Sequence, residues 1–103
     1  MQIVRLDVNN LQWHVRPRAT GGGYVASCGL LGQAVEGDTH GEVVGMIQAV
    51  MTELFRDLLA DGELAAFLRE HGWRAISPIP QSSDDVHFDV PYDVIRDFGA
   101  HSA

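Results

Sequence analysis

Between Val35 and Val43 the chain reads VEGDTHGEV, which sets Asp38, His40 and Glu42 at alternate positions around Thr39. Two carboxylates and an imidazole so close together could hold a divalent metal or pass a proton. Their spacing points elsewhere. Thr39 followed three residues later by Glu42, just before an apolar run, is the capping-box pattern of a helix start. The Thr39 hydroxyl is expected to accept from the Glu42 backbone N–H, and the Glu42 carboxylate to reach back to the Thr39 N–H. Asp38 adds negative charge beside the positive helix end, and Gly37 supplies the backbone freedom that a strand-to-helix corner requires. Placed at i, i+2 and i+4 across a helix start, Asp38, His40 and Glu42 diverge. Gly37, Asp38, Thr39 and Glu42 are therefore read as a structural helix cap, with no catalytic, cofactor-binding or metal residue assigned.

The remaining reactive side chains offer less. His14, His40, His71, His87 and His101 show no HxxxH, HxH or CxxC spacing of the kind zinc needs. A magnesium-dependent nuclease requires several converging carboxylates. Asp7, Asp84, Asp85 and Asp89 could supply them, but Asp84-Asp85 reads as a solvated loop and Asp89 as the outer face of a strand. Cys28 has no basic neighbour in sequence to lower its pKa, so it reads as a buried thiol. The Gly-rich stretch before Tyr24 lacks the GxxxxGK[ST] pattern and precedes a strand, so it reads as a hairpin turn and not a phosphate cradle. Trp13 and Trp73 read as core or interface anchors.

A chain of 103 residues supports a single domain, residues 1–103, and its 46% apolar and 20% charged composition is that of a folded protein. Fourteen acids against seven Lys and Arg leave a net charge of −7. Such a field repels phosphate backbones and favours encounter with a basic protein. No apolar run approaches the ~20 residues that span a bilayer. The N-terminus lacks the features of an export signal and a lone cysteine forms no internal disulfide, so a cytoplasmic setting is expected.

The elements that would position these residues follow from periodicity. Ile3 to Val8, Leu11 to Arg16, Tyr24 to Cys28 and Leu30 to Glu36 have the composition or alternation of strands, joined too tightly for crossovers. An antiparallel meander is expected. From Thr39 the period becomes 3.6, with Val43, Ile47, Val50, Leu54 and Leu58 on one face, widened by Val44, Met51 and Phe55 on one side and Met46 on the other. At about 100° per residue the apolar arc covers roughly 220°, more than one sheet face can cover. Asp61-Gly62 ends this helix, residues 63–71 make a short second one capped by Gly72, and Trp73 to Ser77 and Val86 to Val90 read as further strands. The expected class is α+β: a small antiparallel sheet of three to four strands backed by one long helix and a short second helix. The wide arc, with Ile3 to Val8 and Val86 to Val90 as presumed sheet edges, predicts a homo-oligomer, most simply a symmetric dimer.

The path GGGYVASCGLLGQAVEGDTHGEVVGMIQAVMTELF resembles the N-terminal domain of HicB-like antitoxins. It is carried by Gly23, Tyr24, Cys28, Gly37, Asp38, Thr39 and Glu42, and covers about residues 11–60. The resemblance implies a partial ribonuclease H-like fold, and a protein that self-associates and neutralises a small basic RNA-cleaving toxin without being an enzyme. Val43 stands where the family usually has Ala. Many members continue into a DNA-binding module; none follows here, so direct DNA binding is not expected. The alternative readings are a degenerate magnesium-dependent nuclease and a stand-alone oligomeric regulator.

Overall fold

The computed structural model describes residues 2–81 and 84–96. Of these, residues 2–10, 51–81 and 84–91 form one compact unit, and residues 11–50 and 92–96 a second. The α+β class holds, with two sheets. Helix α1 (His40–Ala60) gives its first half to the second unit and its latter half to the first.

The second unit contains the expected meander. Strands β2 (Gln12–Pro17), β3 (Tyr24–Cys28) and β4 (Gln33–Gly37) pair antiparallel in sequence order. Strict alternation turns Trp13, Val15, Ala26, Cys28 and Val35 inward, all buried, while His14, Arg16 and Glu36 face outward. The chain turns over residues 29–32, with Gly32 at φ 65°, so β4 begins three residues later than its composition suggested. A fourth strand that the sequence did not disclose, β7 (Asp93–Arg96), lies parallel to β2 with Trp13 opposite Val94.

The first unit holds a three-stranded sheet, β5 (Arg74–Ala75), β1 (Gln2–Asp7) and β6 (Val86–Asp89) in that order. Here the expectation for Ile3 to Val8 is corrected. β1 is the central strand, antiparallel to β5 and parallel to β6, and not a sheet edge. Among the described residues β6 does lie at an edge. Val4, Leu6, Val86 and Phe88 point inward, and Arg5 and Asp89 pair across the outer face at 3.6 Å. β5 is shorter than the expected Trp73 to Ser77 because Pro78 has no N–H to extend a ladder. Ser77 takes over with its side chain: its Oγ accepts the Arg5 N–H at 3.0 Å and lies 3.4 Å from the Ile3 carbonyl.

Both helices end on the same device. Gly62 and Gly72 adopt φ 72°, and the N–H groups of Gly62 and Glu63 return to Leu59 and Leu58, as those of Gly72 and Trp73 return to Arg69 and Leu68. These are Schellman closures, which only a residue at ease in the left-handed region makes cheaply. Helix α2 (Leu64–Glu70) buries Leu64 and Leu68. Along α1 the fully buried line is Val43, Ile47, Met51, Phe55 and Leu59; Val44, Val50, Leu54 and Leu58 are half-buried, and Met46 is 44% exposed. In the first unit Phe55 packs against Phe67 and Phe88, with ring centroids 6.1 and 5.7 Å away. Among the described residues no helix is long and apolar enough to cross a membrane.

Candidate functional site at the strand-to-helix corner

β4 runs into α1 through only two residues, Asp38 and Thr39. Thr39 Oγ1 accepts the Glu42 N–H at 3.1 Å, and the Thr39 carbonyl takes the first helical bond from Val43 at 3.1 Å. Thr39 is thus the N-cap residue. The returning arm differs from expectation by one position: Glu42 Oε2 accepts from the Asp38 N–H at 2.9 Å, where the Thr39 N–H was expected. The carboxylate still lies over the helix start, where it complements the dipole.

Gly37 serves a different purpose from the one its type suggested. It is not among the glycines with positive φ. A Cβ at this buried position would instead stand 3.1 Å from Glu42 Cβ and 3.2 Å from Val43 Cγ2. Its value is room for the first turn of α1. Gly23, on the neighbouring strand, is needed twice over: φ is 82°, and a Cβ there would approach the Gly37 carbonyl oxygen to 2.6 Å. The resemblance-bearing glycines of the hairpin and the corner are packed against each other.

Around this backbone lies a polar group. Arg18 approaches Glu36 at 3.8 Å through Nε and Asp38 at 3.6 Å through Nη1. Both distances are ion pairs beyond hydrogen-bonding range, and among the described residues the buried Arg18 Nε has no hydrogen-bond partner. Both acids are exposed, so these pairs add little stability. Tyr24 and His40 meet edge to plane with centroids 6.2 Å apart. Chemically the corner is occupied: the Glu42 carboxylate caps backbone and the Asp38 carboxylate faces Arg18. Among the described residues no three His, Cys, Asp or Glu side chains group to hold a metal.

The other candidates are dispersed. Asp7 pairs with Arg74 at 3.3 Å and Asp89 with Arg5, while Asp84 and Asp85 lie in the turn before β6, where the Asp85 carbonyl accepts the Gln2 N–H. His14 faces outward opposite Ser27 and Ile95, and His87 opposite Ile3. Cys28 is buried. Trp13 is fully buried, and Trp73 is buried with its Nε1 donating to the Asn9 carbonyl at 3.1 Å. His101 and Ser82-Ser83 lie outside the described residues.

Sequence reasoning missed one cluster. His71 stacks on Trp73 at 4.7 Å and lies tilted against Phe67 at 4.2 Å, while Phe67 and Trp73 meet edge to face at 6.1 Å, and His71 Nδ1 is 2.8 Å from the Phe67 carbonyl. The spacing Phe67, His71, Trp73 spans a helix end, where neither a 3.6 nor a 2.0 period applies, so no pattern announces it. Compared with family models, with curated proteins and with solved structures, the chain matches none.

Proposed function

We propose that this chain is an antitoxin-like protein-binding module that binds and neutralises a small basic RNA-cleaving toxin, acting by occlusion and not by catalysis. The observation that carries the reading is the path from the Gly23-Tyr24 hairpin through Cys28 to the Gly37-Asp38-Thr39 corner. Its glycines and cap residues are the ones that carry the resemblance to HicB-like antitoxins, and they interlock in one antiparallel meander leading into a long helix. The charge of −7 supplies the complementary field. Glu53 and Asp57, one turn apart on the exposed side of α1, followed by Asp61 at its end, offer a basic partner a row of carboxylates. The module also self-associates, the half-buried flank of Val50, Leu54 and Leu58 being apolar surface that a second copy would cover.

Purification from native cells under low salt, followed by mass spectrometry, tests the reading. A stoichiometric small basic protein whose ribonuclease activity is suppressed in the complex is the expected outcome. Recovery of the chain with no such partner, together with failure to inhibit a toxin encoded beside it, would overturn it.

A further inference from the structure

The open edge of β6 carries a side chain where a sheet would continue with a strand. Among the described residues no strand pairs with that side, β6 being the last in the order β5-β1-β6. The Gln2 N–H donates to the Asp85 carbonyl at 3.0 Å, and Gln2 stands opposite Val86 in the parallel register. In such a ladder alternate residues turn their N–H and carbonyl toward the neighbour. Asp85, His87 and Asp89 therefore face β1, which leaves the backbone groups of Val86 and Phe88 on the open side.

One of those groups is taken. Arg56, on α1, extends its guanidinium to the Val86 carbonyl, Nη2 donating at 3.1 Å. Packing aims it there: the preceding residue, Phe55, is fully buried against Phe88 with ring centroids 5.7 Å apart, which holds α1 over β6 at this level. Arg56 itself is exposed, and no carboxylate among the described residues lies within 4.0 Å of it. Its charged donor is spent on a neutral edge carbonyl. The opposite edge of the same sheet is blunted by other means, since β5 spans only two residues and Pro78 follows closely. β6 is four residues long and contains no proline, so the arginine is the device found at this edge.

We infer that Arg56 guards β6 against pairing with the same strand of a second copy. Two β6 strands meeting antiparallel about a two-fold axis would set Val86 opposite Phe88 and His87 opposite its own counterpart, merging two three-stranded sheets into one. In that register the Phe88 N–H of the second copy needs the Val86 carbonyl that Arg56 occupies. The two-fold also brings two arginines to one seam, where like charges oppose association. The inference concerns β6 alone and depends neither on the antitoxin reading nor on the Val50, Leu54 and Leu58 flank.

His87→Cys in the full chain supplies the probe. The pair at the axis is of the closely spaced, non-hydrogen-bonded kind, about 4.5 Å between Cα atoms and within disulfide reach. Cys28 is buried and common to every sample. With Arg56 present, the intermolecular disulfide should form slowly in air. Arg56→Ala should speed it about tenfold, the scale of one hydrogen bond released for pairing, and should make exchange of the Phe88 N–H slow down as concentration rises. Arg56→Lys, which keeps a cation at the edge, should stay close to the unaltered rate. Equal cross-linking with and without Arg56 would overturn the proposal. So would Phe88 N–H protection that rises with concentration in the chain that retains Arg56, a measurement that needs no variant. Should Arg56→Ala lose the native circular dichroism, Arg56→Met keeps the apolar stem and takes its place, with the same two outcomes.

Discussion

Three consecutive glycines close the β2–β3 hairpin, and replacing each by alanine should separate two costs that usually arrive together. Gly21, Gly22 and Gly23 have nearly the same backbone, with φ 79°, 73° and 82°. Alanine in that left-handed region costs about 1 kcal/mol at any of them. Only the third is crowded. A Cβ at Gly21 or Gly22 meets nothing within 4 Å, whereas at Gly23 it lies 2.6 Å from the Gly37 oxygen and 3.1 Å from Arg18 Cζ. The Arg18 side chain can swing away. The Gly37 carbonyl cannot, because Gly37 pairs with Tyr24 in the β3–β4 ladder and sits against the first turn of α1. Overpacking of this kind adds about 1–3 kcal/mol. Gly23→Ala should therefore lose about 2–4 kcal/mol in total, against about 1 kcal/mol for each of the other two. For a domain of this size the excess corresponds to a melting point lower by roughly 5–20 °C than that of Gly21→Ala. Thermal unfolding followed by circular dichroism, checked for a single transition by near-ultraviolet signal, measures the series. Equal losses at all three glycines would refute the packing argument and leave only the backbone term.

Thr39→Ala should cost about 1 kcal/mol through loss of the N-cap acceptor, read in urea unfolding. Glu42→Gln, which keeps an oxygen for the Asp38 N–H but removes the charge, should cost roughly half as much. Ser77→Ala leaves the Arg5 N–H without its acceptor and should destabilise by about 0.5–1.5 kcal/mol, with faster exchange of that amide as the specific sign. Light scattering at micromolar concentration should give a mass above that of the 11.3 kDa chain; a monomer mass would remove the self-association proposal. Association with a basic toxin should slow as salt rises from low to physiological, and a salt-independent rate would assign the net acidity to solubility alone.

Local signals were legible where one residue type forces one backbone. The Asp61-Gly62 and Gly72 stops mark both helix ends because only glycine takes φ 72° without strain. The period marks α1 from its first residue to its last. Its buried line was harder to read: Val50, Leu54 and Leu58 on one flank and Met51, Phe55 and Leu59 on the other are all apolar, and composition does not choose between them. Sheet partnership was beyond reach. Nothing near Ile3 signals that it lies beside His87, and Asp93–Arg96 directs only Val94 toward the core, too little alternation to stand out. At the corner, residue types disclosed the cap, but the return of Glu42 to Asp38 depended on the space that Gly37 leaves.

The parallel pairs β1–β6 and β2–β7 bear on how the chain acquires its structure in time. Gln2 waits for Val86 and Gln12 for Asp93, partners roughly eighty residues apart in sequence. As the chain leaves the ribosome, the β2–β3–β4 meander and α1 can form from contiguous sequence, while β1 must stay without its parallel neighbour until Val86 to Asp89 have emerged. Contacts of such high sequence separation slow folding, because loop closure precedes any gain from pairing. For that interval a strand rich in β-branched residues is exposed, and it is the segment most open to capture by a chaperone or by another nascent chain.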